Sequence, residues 1–584
     1  MKRFLALLST LLLSALLLTS FAGSFAFAAE PTQTESRQTV TQTELKDMAI
    51  VSGGVANYTV VRSENASSRT VTTVAQLIKR IENYTGTRPK QATDWHKEGT
   101  SLDSDSLEIL VGHTAHPESA EALKGVGYGD YVVKQVGRKL VINAWSDGAL
   151  EKALTSLYSV IKKQAVYGEL ILSGDLLITG TVAPIANQLP FYPHGNTTFV
   201  ADTGIENYLV LVENTDAEAY DAYTEILVEE GFSLYTEREV NGNKFATYTD
   251  KKYAIHANYI AYSHEVRLII EKETVLPALE EEETAKAAAA PRFAMLGLEY
   301  EYNDVLLQNG MSFIWQIPDG SFIIMDGGVT RHRDSKALYD FMYAYAPDKN
   351  NITVSAWIIT HAHEDHHGTF VNFCQGPYIS KVKIKQVIAN LGNAETMEVT
   401  GSISGGNSQA LIDVIEKHAE NGYVKAHTGQ IFHFGDASVD ILYTYESILP
   451  KQITASNTYS LICAVEVGGQ RFLMPGDATN DALTVAYKMY GKTLESDFMQ
   501  ITHHGAGLGS NKQNGAAQVY TLSKAPVVLW PAGQGAYEAY RSLSRNLHAI
   551  KAKATKELFV AGARNVILQL PYTPGTSGQE SILK

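Results

Sequence analysis

The sequence predicts a multi-domain α/β protein: a C-terminal αββα sandwich preceded by two small α/β (α+β) domains. Three observations carry this expectation. The 584 residues are too many for one core and suggest about three or four domains. Strand-like and helix-like segments alternate along the chain, the pattern of mixed α/β layers. Three polar clusters in the C-terminal half each follow a strand, at the edge where an αββα sandwich gathers its active site.

The chain starts MKRFLALLSTLLLSALLLTSFAGSFAFAAE. Lys2 and Arg3 precede a leucine-rich run, and Ala26-Phe27-Ala28 forms an A-x-A site. This reads as a secretory signal over residues 1–28, which places the mature protein outside the cytoplasm, secreted or associated with the cell envelope. No other stretch reaches the ~18 apolar residues of a membrane span, so no stable span is expected after cleavage. Hydrophobic residues make up 45% and charged residues 19%, ordinary for a globular chain, so disorder is not the default.

Residues 29–188 read as an N-terminal α/β domain. A Thr-, Ser- and Gln-rich tether leads into strand TVVRS. The amphipathic helix VAQLIKRIENYTG, the strand LEILVGHT and a hairpin GDYVVKQVGRKLVINAW turning at Gly137 follow. The next helix starts after Ser146-Asp147, a sensible cap. Residues 189–276 form a smaller α+β unit, with a strand, the helix AYDAYTEILVEEG and three more strands. His256 and His264 stand alone there and read as packing or surface residues. Residues 277–292, PALEEEETAKAAAAPR, read as a solvated linker.

The chemistry is expected in residues 293–584. MSFIWQIPDGSFIIMDGG is a hairpin ending in Asp326-Gly327-Gly328. NITVSAWIIT is a buried strand that delivers IITHAHEDHHGTF. From His363 that stretch spells H-E-x-x-H, a helical zinc site with Glu364 as base and His367 as ligand. From His361 it spells H-x-H-x-D-H, a loop presenting His361, His363, Asp365 and His366 to two metals. The strand before it, and Gly368 directly after His367, favour the loop. Further ligands then follow two later strands, at Gly476-Asp477 and at His503-His504. Cys374 and Cys463 are the only cysteines and read as small buried hydrophobes.

This series (DGG, THAHEDHHG, GD, HHG) resembles the metallo-β-lactamase superfamily over residues 294–570. NTYSLICAVEVGGQRFLMPGD…THHG is most similar to the branch containing the exported hydrolase domain of ComEC-type DNA-uptake proteins, and phosphorylcholine esterases of bacterial cell walls share similar motifs. The resemblance implies two divalent metal ions, with zinc the default and manganese the alternative. It assigns His361 and His363 to one metal, Asp365, His366 and His504 to the other, and Asp477 as the bridge. Asp326 would be a structural residue and His503 would meet substrate; Asn457, just before the strand that leads to Asp477, is a candidate contact to substrate or to a ligand. Asp365 and His503 are the residues expected to act in catalysis. A third histidine for the first metal is not evident among His418, His427 and His433, with His427 the best placed. Residues 60–185 resemble the small non-catalytic domain preceding the catalytic part of some exported glycoside hydrolases, through LEILVGHT, GDYVV, LVI and SDGAL.

The expected activity is an exported binuclear phosphodiesterase acting on a cell-envelope or extracellular phosphoester. Paired cations can bring a bridging water to a pKa near neutrality and stabilise charge developing on the phosphate. A wall glycan or polymer is the expected partner. Nucleic acid is the weaker expectation, because a formal charge of −15 suits phosphate backbones poorly. A basic groove at Arg541, Arg545, Lys551 and Lys553 would favour the alternative, an extracellular nuclease. A non-catalytic envelope-binding protein is the other alternative.

Overall fold

Helical spacing sets the first layer. Helix Ser68–Thr85 buries Val74, Leu77, Ile78 and Ile81, one face at i, i+3, i+4 and i+7. Ser67 caps it by accepting from Thr70 N, and Ser146 does the same for helix Asp147–Gln164 through Ala149 N, satisfying N–H groups that a helix start leaves free. Both helices pack on a sheet whose strands Gln91–Thr93, Thr59–Arg62, Glu108–Val111 and Lys139–Ala144 run parallel. Asp130–Val136 joins antiparallel through a hairpin that turns at Gly137.

The computed structural model describes residues 46–581, except 98, 205–206, 273–275, 280–287, 299, 303–304, 308–309, 393–407, 508–513, 563 and 580. The expected leader and the glutamate run of the linker lie outside the described residues. Among the described residues no helix is long and apolar enough to cross a membrane.

A six-stranded antiparallel sheet comes next, in the order Asn196–Gly204, Asn207–Glu213, Glu265–Lys272, Tyr253–Ile260, Asn243–Thr249 and Ser233–Val240. Helix Ala217–Glu229 packs on it through Tyr220, Tyr223 and Leu227. The sheet has more strands than the sequence pattern suggests. Both edge strands are rich in polar residues, with NTTFVADTG mostly half-buried and SLYTEREV largely exposed, so they lack the apolar signal of a core strand.

The C-terminal domain is two sheets face to face with helices outside. One has the order Tyr423–Lys425, Val387–Ala389, Ile352–Ile358, Phe322–Asp326, Ser312–Gln316, Arg292–Met295 and Val566–Gln569. The other has the order Ile431–Phe434, Ala437–Tyr443, Ile462–Val467, Gln470–Met474, Phe498–Gln500, Val527–Trp530 and Glu557–Val560. Phe293, Phe313, Trp315, Phe472 and Phe498 fill the space between them. Large rings there remove much apolar area from water, at about 25 cal/mol per Å². Helices His332–Tyr345 and Glu364–Gln375 cover the first sheet, and Asn480–Tyr490 and Gly515–Ser523 cover the second. The result is the αββα sandwich.

The middle sheet docks on this sandwich and shares its core. Leu209, Phe245, Ile260 and Ile269 cluster with Tyr445, Tyr490 and Leu442. Polar ties fix the register: Arg238 donates to Asp440 at 2.8 and 3.3 Å, Asn243 to Met489 O at 2.6 Å, and Tyr445 to Thr203 O at 2.7 Å. His256 is not isolated. It stacks on His427 of the C-terminal domain, with ring centroids 4.3 Å apart.

Candidate metal centre

Three strand ends build the site. Strand Ile352–Ile358 runs parallel to Phe322–Asp326, so Asp326 and the Thr360-His361 loop emerge side by side. Asp326, fully buried, accepts from Thr360 N at 2.9 Å, from the Thr360 hydroxyl, and from His366 Nδ1 at 2.7 Å. These bonds hold the loop and leave Nε2 of His366 facing inward. On the second sheet, strand Gln470–Met474 leads to Asp477 and its parallel neighbour Phe498–Gln500 leads to His503 and His504. Gln500 ties the two loops by accepting from Gly476 N at 3.0 Å and donating to Gly476 O at 2.8 Å. Gly476 itself is left-handed (φ 54°), and a Cβ there would press on Thr360 at 3.1 Å.

Two groups of ligand atoms converge and share one residue. His361, His366 and Asp477 form the first; Asp365, His366 and His504 form the second. His366 Nε2 lies 3.1 Å from Asp477 Oδ2, and His504 Nε2 lies 3.4 Å from Asp365 Oδ2 and 3.7 Å from Asp477 Oδ2. His363 is close, its ring 4.5 Å from that of His361, but its Nε2 meets Ser456 Oγ at 2.6 Å. It stands outside both convergent groups. His504 rather than His503 faces the centre. His503 contacts Asn457 Nδ2 through Nε2 at 3.1 Å and the Gly507 carbonyl through Nδ1, with Asp477 3.9 Å away.

The helix after the metal loop starts at Glu364, earlier than TFVNFC suggests. Gly368 lies within it rather than ending it, and a Cβ there would sit 2.5 Å from Thr330 N. The glycine allows the helix to approach the Gly327-Gly328 turn, where Thr369 N donates to Gly328 O. Although His363 caps this helix and His367 sits one turn along it, neither Glu364 nor His367 joins a convergent group. Of the four residues in the H-x-H-x-D-H reading, His361, Asp365 and His366 join the convergent groups, with Asp365 and His366 on the first turn of this helix and not in a loop, while His363 stays outside.

Burial and neighbouring charge act together here. Burial opposes charging His366, yet Asp477 and Asp326 outweigh it and hold its pKa well above the usual imidazole range. Burial likewise raises Asp477, but His366 and His504 bring it well below the ordinary carboxylate value. His361, buried beside His366, is held well below the usual range and stays neutral. Nε2 of His361, His366 and His504 and Oδ1 of Asp477 are buried without an aligned hydrogen-bond partner among the described residues. Buried polar atoms are rarely left so. Imidazole nitrogens and carboxylate oxygens aimed at common points are the donor set a divalent cation takes, and the carboxylate behind His366 is the usual support of a ligating histidine. The residues fit divalent metal.

Residues 307–485 match the family described as the Metallo-beta-lactamase superfamily, a span that runs from before Asp326 to beyond Asp477. The C-terminal domain has the metallo-β-lactamase fold. Domains of this superfamily bind divalent metals, often two, and are often hydrolases. Among solved structures, the metallo-β-lactamase fold protein YhfI from Bacillus subtilis is 12% identical, with 48% of this chain and 99% of YhfI covered and a TM-score of 0.30. CmlA, a diiron β-hydroxylase from Streptomyces venezuelae, is 11% identical over 48% of this chain and 54% of its own, with a TM-score of 0.31. This chain thus spans about half of CmlA. No curated protein matches the sequence.

Three residues that position this metallo-β-lactamase-fold site escaped sequence reading. Thr360 and Gln500 were hidden in strand ends, and Ser456 lies far from His363 in the chain. His427 does not complete the first metal's ligands. It is fully buried against Glu446, at 2.8 Å, and Glu271.

Proposed function

We propose that the metallo-β-lactamase-fold domain is a binuclear metal-dependent hydrolase of phosphoesters, working outside the cytoplasm on a cell-envelope or extracellular substrate. The meeting of two ligand groups beside the Asp477 carboxylate, whose Oδ2 lies 3.1 Å from His366 Nε2 and 3.7 Å from His504 Nε2, carries the reading. The sequence leader supports the location, the ComEC-like and cell-wall esterase motifs support a phosphoester, and the resemblance of residues 60–185 to a glycan-associated module supports a wall polymer. Aspartate at position 477 supplies an oxygen ligand, which suits phosphate chemistry.

His361, His366, Asp477, Asp365 and His504 would hold the cations, with His363 joining once its bond to Ser456 is exchanged. Bound there, divalent cations activate water and neutralise charge developing on the substrate. Asp326 orients His366, and the neutral His361 keeps a lone pair available. With Asn457 donating, His503 accepts at Nε2 and must first take a proton before it can protonate a leaving group. Once Nε2 carries a proton as well, a half-turn of the Asn457 amide brings Oδ1, otherwise without a partner, opposite it as the acceptor, since Nδ1 already donates to the Gly507 carbonyl. That pair stands beside Asp477, where a substrate oxygen would lie.

The nuclease alternative needs a free basic groove. Arg545 instead donates to the carbonyls of Gly505 and Ala506, and Arg541 pairs with Glu538 at 2.7 Å. Both are committed, leaving Lys551 and Lys553 beside a separate cavity with Lys524. The test is a panel of bis-p-nitrophenyl phosphate, a phosphorylcholine ester, single-stranded DNA and nitrocefin with metal-loaded protein. Chelator-sensitive turnover of the phosphodiesters is expected. Equal activity of wild type, His361→Ala and Asp477→Ala on every substrate turned over overturns the catalytic assignment.

A further inference from the structure

A second histidine–carboxylate cluster lies at the seam between the middle sheet and the C-terminal domain, formed by different residues from the centre above. His256 sits on strand Tyr253–Ile260, Glu271 on its neighbour Glu265–Lys272, and His427 on the loop after Tyr423–Lys425. All three are buried, and one ligand atom from each lies within 4.8 Å of the others. His256 Nε2 is 3.1 Å from Glu271 Oε1, and His427 Nε2 is 3.4 Å from Glu271 Oε2. Those separations match the edges of a coordination shell whose bonds are about 2.0–2.2 Å long.

The outer contacts are those of metal-ligating histidines. His427 Nδ1 meets Glu446 Oε2 at 2.8 Å, and His256 Nδ1 meets Thr247 Oγ1 at 3.0 Å. Donation from Nδ1 to a carboxylate or hydroxyl leaves the Nε2 lone pair for a cation. Nε2 of His427 has no aligned hydrogen-bond partner among the described residues. Glu446 is itself fixed by Asn390 at 2.9 Å and Lys425 at 3.0 Å. An access route exists: a cavity of about 260 Å³ at the seam reaches His256, with Asn258, Gln430 and His433 on its wall.

We propose that His256, His427 and Glu271 form a structural zinc site that fastens the middle sheet to the metallo-β-lactamase-fold domain. Two imidazoles and one carboxylate are a zinc donor set, with the fourth position left to water. Since the ligands come from two domains, the ion would bind only when they are docked, so its binding energy adds to the docked state.

The decisive experiment uses the full chain loaded with zinc chloride and dialysed. Anomalous diffraction at the zinc edge should show a peak bonded to His256, His427 and Glu271. Elemental analysis should show one zinc per chain fewer in His427→Asn and in His256→Asn than in wild type. Absence of that peak, whatever the catalytic centre holds, overturns the proposal and leaves a metal-free network of ion pairs. Unchanged stoichiometry in both folded variants also overturns it. The catalytic assignment is read separately, from turnover of the phosphodiester panel.

Discussion

His366 donates its Nδ1–H to Asp326 at 2.7 Å, which turns its Nε2 toward Asp477, 3.1 Å away. The contact makes Asp326, a residue that need touch no metal, a determinant of metal affinity. Asp326→Asn keeps the size and suits the left-handed backbone (φ 55°), since Asn tolerates that region. Loss of the carboxylate behind a metal histidine costs about 10–100-fold in affinity or activity. Chelator competition should show that loss with unchanged circular dichroism. Wild-type metal retention would refute the positioning role.

The two histidines of the H-x-H element should behave differently. His361 converges with His366 and Asp477, whereas His363 is held by Ser456. His361→Asn is expected to lower both metal content and turnover. His363→Asn should retain the ion of the Asp365, His366 and His504 group. Elemental analysis of the two variants decides between them, and equal losses would sink the distinction.

Gly368→Ala tests the close helix approach. In an ordinary helix the change stabilises by about 1 kcal/mol. Here the new methyl would lie 2.5 Å from Thr330 N, an overpacking clash that typically costs about 1–3 kcal/mol. A lower melting temperature is expected. A higher one would show that the loop at residues 327–330 yields freely.

Asp334 provides a pH-dependent stability. It is 1% exposed, and burial raises its pKa to about 6 against the pull of Arg331 and Arg333. The native state therefore holds this proton more tightly than the unfolded chain does. Stability contributed by the site is full below pH 4 and falls as pH rises through 6. Asp334→Asn removes that fall, less a helix-dipole contribution of about 0.3–1 kcal/mol. The variant should gain about 2–3 kcal/mol at pH 8 and nothing at pH 4, by denaturant unfolding. An equal gain at both pH values would contradict the assignment.

Local signals were enough for much of the site. A β-branched run before His361, and strands before Asp477 and His503-His504, place polar residues at strand ends because a strand's length and burial are written in consecutive residues. The hairpin at Gly137 and the cap at Ser146 were legible for the same reason. Polar edge strands such as SLYTEREV were not, since their exposure removes the apolar pattern.

By itself, the sequence determined the α/β layering and the C-terminal sandwich. Only the tertiary structure decided that His366 is common to two ligand groups, that His363 meets Ser456, and that Gln500 ties the Asp477 loop to the His503 loop. It alone brought His256 and Glu271 to His427 and Glu446 across a domain seam. Those four residues carry no common spacing or periodicity. Their proximity comes from docking two sheets through a shared apolar core, and sequence-local patterns do not encode such docking.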